Sequence, residues 1–290
     1  MKTILIPVDF SDHSVSTFKY AISIAGTEKL TKLHFHHSYN DQIAAPDPGL
    51  SSGFDNDSFL NVQLIEEFRK QAEHNMKSLT NNVTKYLEEH QISNMEVESS
   101  ISGGDADWEI LNCCREVNPD FIVMGTQGTG KKEIFEGSVA KNIMNKADVP
   151  VIAVPIGNHD SFEELKIMYA CNNHNKDFQK INLLLKLFKN IPHKIFVTHF
   201  HFGGSKDKNI NLINDLEEAF KSYDSSINVK FSFVDASDKD DTMELFAKEN
   251  NINTIAFISH KTNIFKYLFS DGITKHDFYK LGLPMIALHE

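Results

Sequence analysis

The sequence predicts an α/β protein made of two tandem domains, each a doubly wound parallel sheet with helices on both faces. Three observations predict it. Short apolar runs alternate with amphipathic helical stretches, the pattern that builds a parallel sheet. The alternation completes itself within about 155 residues and then begins again. Sliding the chain by 134 residues without a gap lays Ile255-Ala256-Phe257-Ile258 on Phe121-Ile122-Val123-Met124, and Leu283-Pro284-Met285-Ile286-Ala287-Leu288 on Val149-Pro150-Val151-Ile152-Ala153-Val154. Two matches in one register point to a duplicated unit, with domains at 1–156 and 165–290.

Thr3 to Val8 is a short apolar run that reads as a buried strand, and the loop Asp9-Phe10-Ser11 follows. Val15, Phe18, Ala21, Ile22 and Ala25 recur at helical spacing, so a helix is expected over Ser14 to Ala25. Lys32 to Tyr39 reads as the second strand. Residues 40–60, rich in Asp, Pro, Gly and Ser, read as a long loop. A helix from about Val62 to His90 carries Leu64, Ile65, Phe68, Ala72, Met76, Leu79, Val83 and Leu87 on one face, which reads as packing on its own sheet. Strand Asn94–Ile101, helix Trp108–Glu116, strand Phe121–Met124, helix Ser138–Lys146 and strand Val149–Pro155 complete the first unit. Ile156 to Glu164 is a polar linker.

The second unit repeats the order. Lys166 to Asn172 resembles the first strand, with Asn172 where Asp9 stood. Helix Asp177–Phe188, strand Lys194–Phe200, helix Asn209–Tyr223 and strand Asn228–Val234 follow. Helix Asp241–Glu249, strand Thr254–Ile258, helix Ile273–Leu281 and strand Pro284–Leu288 close it. Both second strands place a histidine near their ends, His37 and His199.

Composition excludes several classes. A formal charge of -11 opposes nucleic-acid binding, which needs clustered Lys and Arg. The three cysteines, two of them adjacent, form no disulfide framework and suit a reducing cytoplasm. The N-terminus reaches Asp9 before a signal-peptide core could form. No apolar run approaches the ~20 residues of a membrane helix, so no membrane partner is expected.

The chemistry concentrates after the fourth strand, in Gly125-Thr126-Gln127-Gly128-Thr129-Gly130-Lys131-Lys132, followed by Glu133-Ile134-Phe135-Glu136-Gly137-Ser138 and a helix. Glycines let backbone amides turn toward an anion. A helix starting at Ser138 adds free amides and the positive end of its dipole. In an open parallel sheet, ligands bind outside the carboxyl ends of the strands where strand order reverses, and Asp9 lies on that edge.

These residues resemble the universal stress protein family. Met124, Gly125, Gly128, Gly137 and Ser138 match its glycine motif, and Ile6-Pro7-Val8-Asp9, the His-containing second strand and Val149-Pro150-Val151-Ile152 match as well. The likeness covers nearly all of residues 1–155, and residues 166–289 in pattern only. It implies a Rossmann-like fold of the adenine nucleotide α-hydrolase type that binds ATP or AMP, with Mg²⁺ as counter-ion. Pro7, Val8 and Asp9 would lie near adenine and ribose, with Ser38 from the second strand. Met124 and Gly125 would lie under the nucleotide, and Gly128, Gly137, Ser138 and Val139 around the phosphates. Only eight residues separate Gly128 from Gly137, one fewer than usual in the family, and Glu136 brings a carboxylate beside the phosphate position. In the family the last strands commonly pair across a dimer axis. Here Val149–Val154 and Leu283–Leu288 could pair with each other as an internal pseudo-dimer, with a homodimer as a further assembly.

Under the gapless slide, Gly125 becomes Ser259, Gly128 becomes Thr262, Gly137 becomes Asp271 and Ser138 becomes Gly272, so the second unit is expected to have lost the cradle. A P-loop is a near match at Gly125 to Lys131, but Lys132 stands where Mg²⁺ needs Ser or Thr, and the motif follows the fourth strand rather than the first. His34 and His36 point the same way on their strand, but no third metal ligand is fixed by spacing. Cys113 and Cys114 read as small core residues. No nucleophile, base and orienter fall within sequence reach of one another. The expected function is a stress-response protein acting by nucleotide binding and conformational signalling, with at most slow ATP hydrolysis. The alternative is a nucleotide-free tandem domain that binds a protein or small ligand.

Overall fold

The structure, a computed structural model, describes residues 1–26, 28–41, 54–126, 138–171, 176–201, 206–223, 228–236, 241–259 and 281–289. The first half holds β1 (Lys2–Pro7), α1 (His13–Ala25), β2 (Thr31–Tyr39), α2 (Phe54–Glu89) and β3 (Met95–Gly103). It continues with α3 (Ala106–Val117), β4 (Phe121–Gly125), α4 (Ser138–Lys146) and β5 (Val151–Val154). The second half holds β6 (Leu165–Ala170), α5 (Asp177–Leu187), β7 (His193–His201), α6 (Lys206–Tyr223), β8 (Val229–Asp235), α7 (Thr242–Glu249), β9 (Thr254–Ser259) and β10 (Met285–His289).

The strands form one sheet in the order β3-β2-β1-β4-β5-β10-β9-β6-β7-β8. Neighbours run parallel within each half, and the halves join where β10 pairs antiparallel with β5, Ile286 opposite Ile152. The expected pairing of the two last strands is therefore present. Successive strand residues enter opposite layers, as a two-residue period requires. Ile4, Ile6, Phe121, Val123, Ile152 and Val154 pack under α1, α2, α5 and α6. Leu5, Ile122, Met124, Val151 and Ala153 pack under α3, α4 and α7. Both layers run through the β5–β10 seam, because each contains β10 residues: Ile286 and Leu288 in one, Met285 and Ala287 in the other.

Two expectations need correction. The helix expected from Val62 begins at Phe54, inside the stretch read as loop. Composition made that stretch look like a loop, because aspartate and serine are common in loops and at helix starts alike. The gapless slide also fails by one residue. In the first half Ile122 stands opposite Val151, whereas in the second Ile255 stands opposite Met285. Ile122 and Ile255 occupy the same layer, so β9 matches β4 at a shift of 133 while β10 matches β5 at 134. A one-residue slip exchanges the faces of every side chain. The counterpart of Gly125 is accordingly Ile258, and Ser259 is the counterpart of Thr126. The expected helix over Ile273–Leu281 lies outside the described residues, apart from Leu281.

Candidate functional site

Strand order reverses between β1 and β4. β1 connects through α1 to β2 on one side, while β4, on its other side, is reached from β3 at the sheet edge. Ile4 pairs with Phe121 and Leu5 with Ile122, so the ends of the two strands open side by side. Such a reversal leaves a crevice at the carboxyl ends of the strands.

At the end of β1 the backbone is held on both sides. The Val8 amide donates to the His36 carbonyl at 2.8 Å, and the Val8 carbonyl accepts from His37 Nδ1 at 2.8 Å. A carbonyl can only accept, so His37 carries its proton on Nδ1. Burial lowers the His37 pKa, against the Val8 hydrogen bond and the charge of Asp9. Asp9 then makes an Asx turn: its Oδ1 accepts from the Ser11 amide at 3.1 Å and the Ser11 hydroxyl at 2.6 Å. Phe10, at φ 60°, lays its ring 4.3 Å from that of His37. The second half repeats the arrangement, with His199 Nδ1 donating to the Cys171 carbonyl at 3.0 Å and the Cys171 amide donating to Thr198 at 2.9 Å.

At the end of β4, Met124 is buried and Gly125 half-buried. His13, the first residue of α1, donates from Nε2 to the Val154 carbonyl at 2.9 Å. Its ring lies against Gly125: a Cβ there would stand 2.5 Å from His13 Cδ2 and 2.8 Å from Nε2. Burial is the main cause lowering the His13 pKa. The Thr126 amide donates to the same Val154 carbonyl at 3.0 Å, and its buried hydroxyl has no hydrogen-bond partner among the described residues.

The crevice thus brings Pro7, Val8 and Asp9 together with Met124 and Gly125. Ser38 does not join them directly, since it lies on β2 opposite Ser102 of β3, with β1 between it and β4. Gly128 and Gly137 lie outside the described residues. Ser138 opens α4, and Val139 packs against the layer under α3 and α4. The sequence reading missed His13. Its signal was a histidine at the start of the first helix, close behind the strand that ends in Asp9.

The histidines on β2 have another use. His34 Nε2 and His36 Nδ1 each lie 2.9 Å from the Ser100 hydroxyl, under α3. Glu98 approaches His34 Nδ1 at 3.6 Å and pairs with Lys32 at 2.7 Å. Among the described residues no group of three His, Cys, Asp or Glu side chains could hold a metal ion. Among them, too, no helix is long and apolar enough to cross a membrane.

Comparison with known proteins gives a consistent picture. The model of the universal stress protein family matches residues 1–155. A universal stress protein of Methanocaldococcus jannaschii is 29% identical over 160 residues, covering 53% of this chain and 94% of that protein. A crystal structure of a universal stress protein from Archaeoglobus fulgidus superposes with a TM-score of 0.64 at 17% identity, covering 99% of this chain and 96% of that one. A putative universal stress protein from Pseudomonas aeruginosa gives a TM-score of 0.54 at 11% identity, covering 100% of this chain and 93% of that one. These two likenesses bear on the fold alone, and they extend over both halves.

Proposed function

Because the chain belongs to the universal stress protein family, we propose that its first half, residues 1–156, binds ATP or AMP in the crevice between β1 and β4. The reading rests on one observation: the Asp9 carboxylate, fixed by Ser11, follows the end of β1 where strand order reverses between β1 and β4, and α4 is the next helix after β4. A carboxylate held in this way accepts hydrogen bonds from ribose hydroxyls. The glycine-bearing sequence from Gly125 through Gly128 to Gly137 and the first turn of α4, beginning at Ser138 and Val139, would take the phosphates, because a first helical turn has amides without partners in the helix and carries the positive end of its dipole. A bound nucleotide would bring Mg²⁺ as counter-ion. Pro7, Val8 and Met124 supply apolar walls, and the proposal keeps Ser38 as a contact reached across β1.

We read the action as binding and conformational signalling in a stress response rather than turnover. The buried, unbridged thiols of Cys113, Cys114 and Cys171 suit the reducing cytoplasm. The second half, residues 165–290, places Ile258 where the first has Gly125, so nucleotide is assigned to the first half only.

Gly125 itself favours a second reading. The contact with His13 already accounts for the missing side chain, as close packing of a helix on a strand, and this would equally suit a nucleotide-free module that binds a protein or small ligand. Equilibrium binding of labelled ATP separates the two. Wild type is expected to bind in the micromolar to low millimolar range, and Gly128→Asp to lose binding through a carboxylate beside the phosphates. Absence of binding by wild type at millimolar ATP would leave the module.

A further inference from the structure

We propose that Ser259 and His289, at the strand ends of the second half, are positioning residues for α4, the helix whose first turn is assigned to the phosphates. The inference rests on that assignment for its functional meaning, but its geometry is independent of it. The last four carbonyls of a helix have no partner within the helix. In α4 the Met144 carbonyl is one of them, and it receives two side-chain donors: the Ser259 hydroxyl at 3.0 Å and His289 Nε2 at 2.7 Å. Ser259 is 1% exposed and His289 8%, so water does not compete for the contact. Burial lowers the His289 pKa, against its hydrogen bonds to the Met144 and Val149 backbone.

The antiparallel seam explains why these residues meet. Strands of the two halves run in opposite directions across β5 and β10, so their carboxyl ends lie on opposite rims of the sheet. Helix α4 spans that distance. Its last turn reaches the rim where β9 and β10 end. A helix of nine residues is a rod about 13 Å long, so holding one end fixes where the other can lie. The brace is also one-sided at one position. Ser259 has a hydroxyl-bearing counterpart in Thr126, but the counterpart of His289 is Pro155, which offers no side-chain donor. The second half thereby holds the end of a helix that belongs to the first.

The test uses the full chain and two measurements. Amide hydrogen exchange without nucleotide is followed in α4, and labelled ATP binding is measured on the same proteins. In Ser259→Ala with His289→Leu, α4 exchange should accelerate at least about tenfold while β1 and β4 stay protected, and ATP affinity should fall about five- to twentyfold. In Ser259→Thr with His289→Gln, which keeps both donors, exchange and affinity should return to within about threefold of wild type. Unchanged α4 exchange in the first variant would overturn the brace. Faster exchange with unchanged affinity, in a wild type that binds, would overturn the positioning role. If wild type binds no ATP, the nucleotide reading fails by itself, and the exchange result still decides the brace. Should the first variant unfold, Ser259→Ala alone carries the same comparison against Ser259→Thr.

Discussion

His36 shows what burial does to a single side chain in this protein. It is 3% exposed, hydrogen-bonded to Ser100, and its pKa is held down to about 4 by desolvation, with His34 and His37 adding repulsion. The unfolded chain binds a proton on this ring below about pH 6.5, whereas the folded chain resists until about 4. The contribution to stability is therefore complete above the unfolded value and is lost as pH falls through that window, by on the order of 3 kcal/mol. Denaturant unfolding at pH 7 and pH 4.5 should show the drop, and His36→Gln should flatten it. Burial pushes His13, His34, His37, His159 and His289 in the same direction, so a slope of the same sign should persist in that variant. That His34 and His36 share a face was legible from their two-residue spacing. That Ser100 would stand between them was not, because it comes from a neighbouring strand 64 positions away from His36.

Whole elements were easier to read than their ends or their alignment. Helix α4 begins and ends at the expected residues, since the periodic stretch Ser138–Lys146 is bounded by Gly137 and by the short link to the next strand. The start of α2 was hidden because aspartate and serine mark loops and first helical turns alike. The extra residue between the two copies was hidden for a different reason: Phe, Ile, Val and Met resemble Ile, Ala, Phe and Ile in either of two adjacent registers, and only strand pairing distinguishes them. Helix α3 offers a direct measure of a cap. Asp105 Oδ1 accepts from the amides of Asp107 and Trp108 at 3.1 and 3.2 Å, satisfying two donors the helix cannot. Asp105→Ala should cost about 1 kcal/mol in urea unfolding, while Asp105→Ser should recover most of it.

At the scale of the molecule, the seam makes the two halves one structure. The Tyr20 hydroxyl in α1 meets Thr254 of β9 at 3.1 Å, and Lys2 donates to the Leu187 carbonyl at 2.9 Å, so contact extends well beyond the paired strands. The sheet interior at β5 is wholly buried. Residues 1–156 alone would expose that strand as an open edge, which seeks a partner. Produced separately, this half should self-associate, and sedimentation should give a dimer that becomes monomeric when a proline replaces Ala153, whose amide faces the β10 side. The duplication and the pairing of the last strands were legible because buried parallel strands leave apolar runs. The opposed rims follow from that pairing, but their use as a brace was not legible, since it depends on side chains meeting across the seam. Ile152 and Ile286 are 134 positions apart in the chain (286 − 152). On the ribosome, at roughly 5–20 residues per second, the finished first half must therefore wait on the order of ten seconds before its partner strand emerges. During that interval a second nascent chain could take the vacant place, so crowded translation of the same messenger should favour entangled dimers.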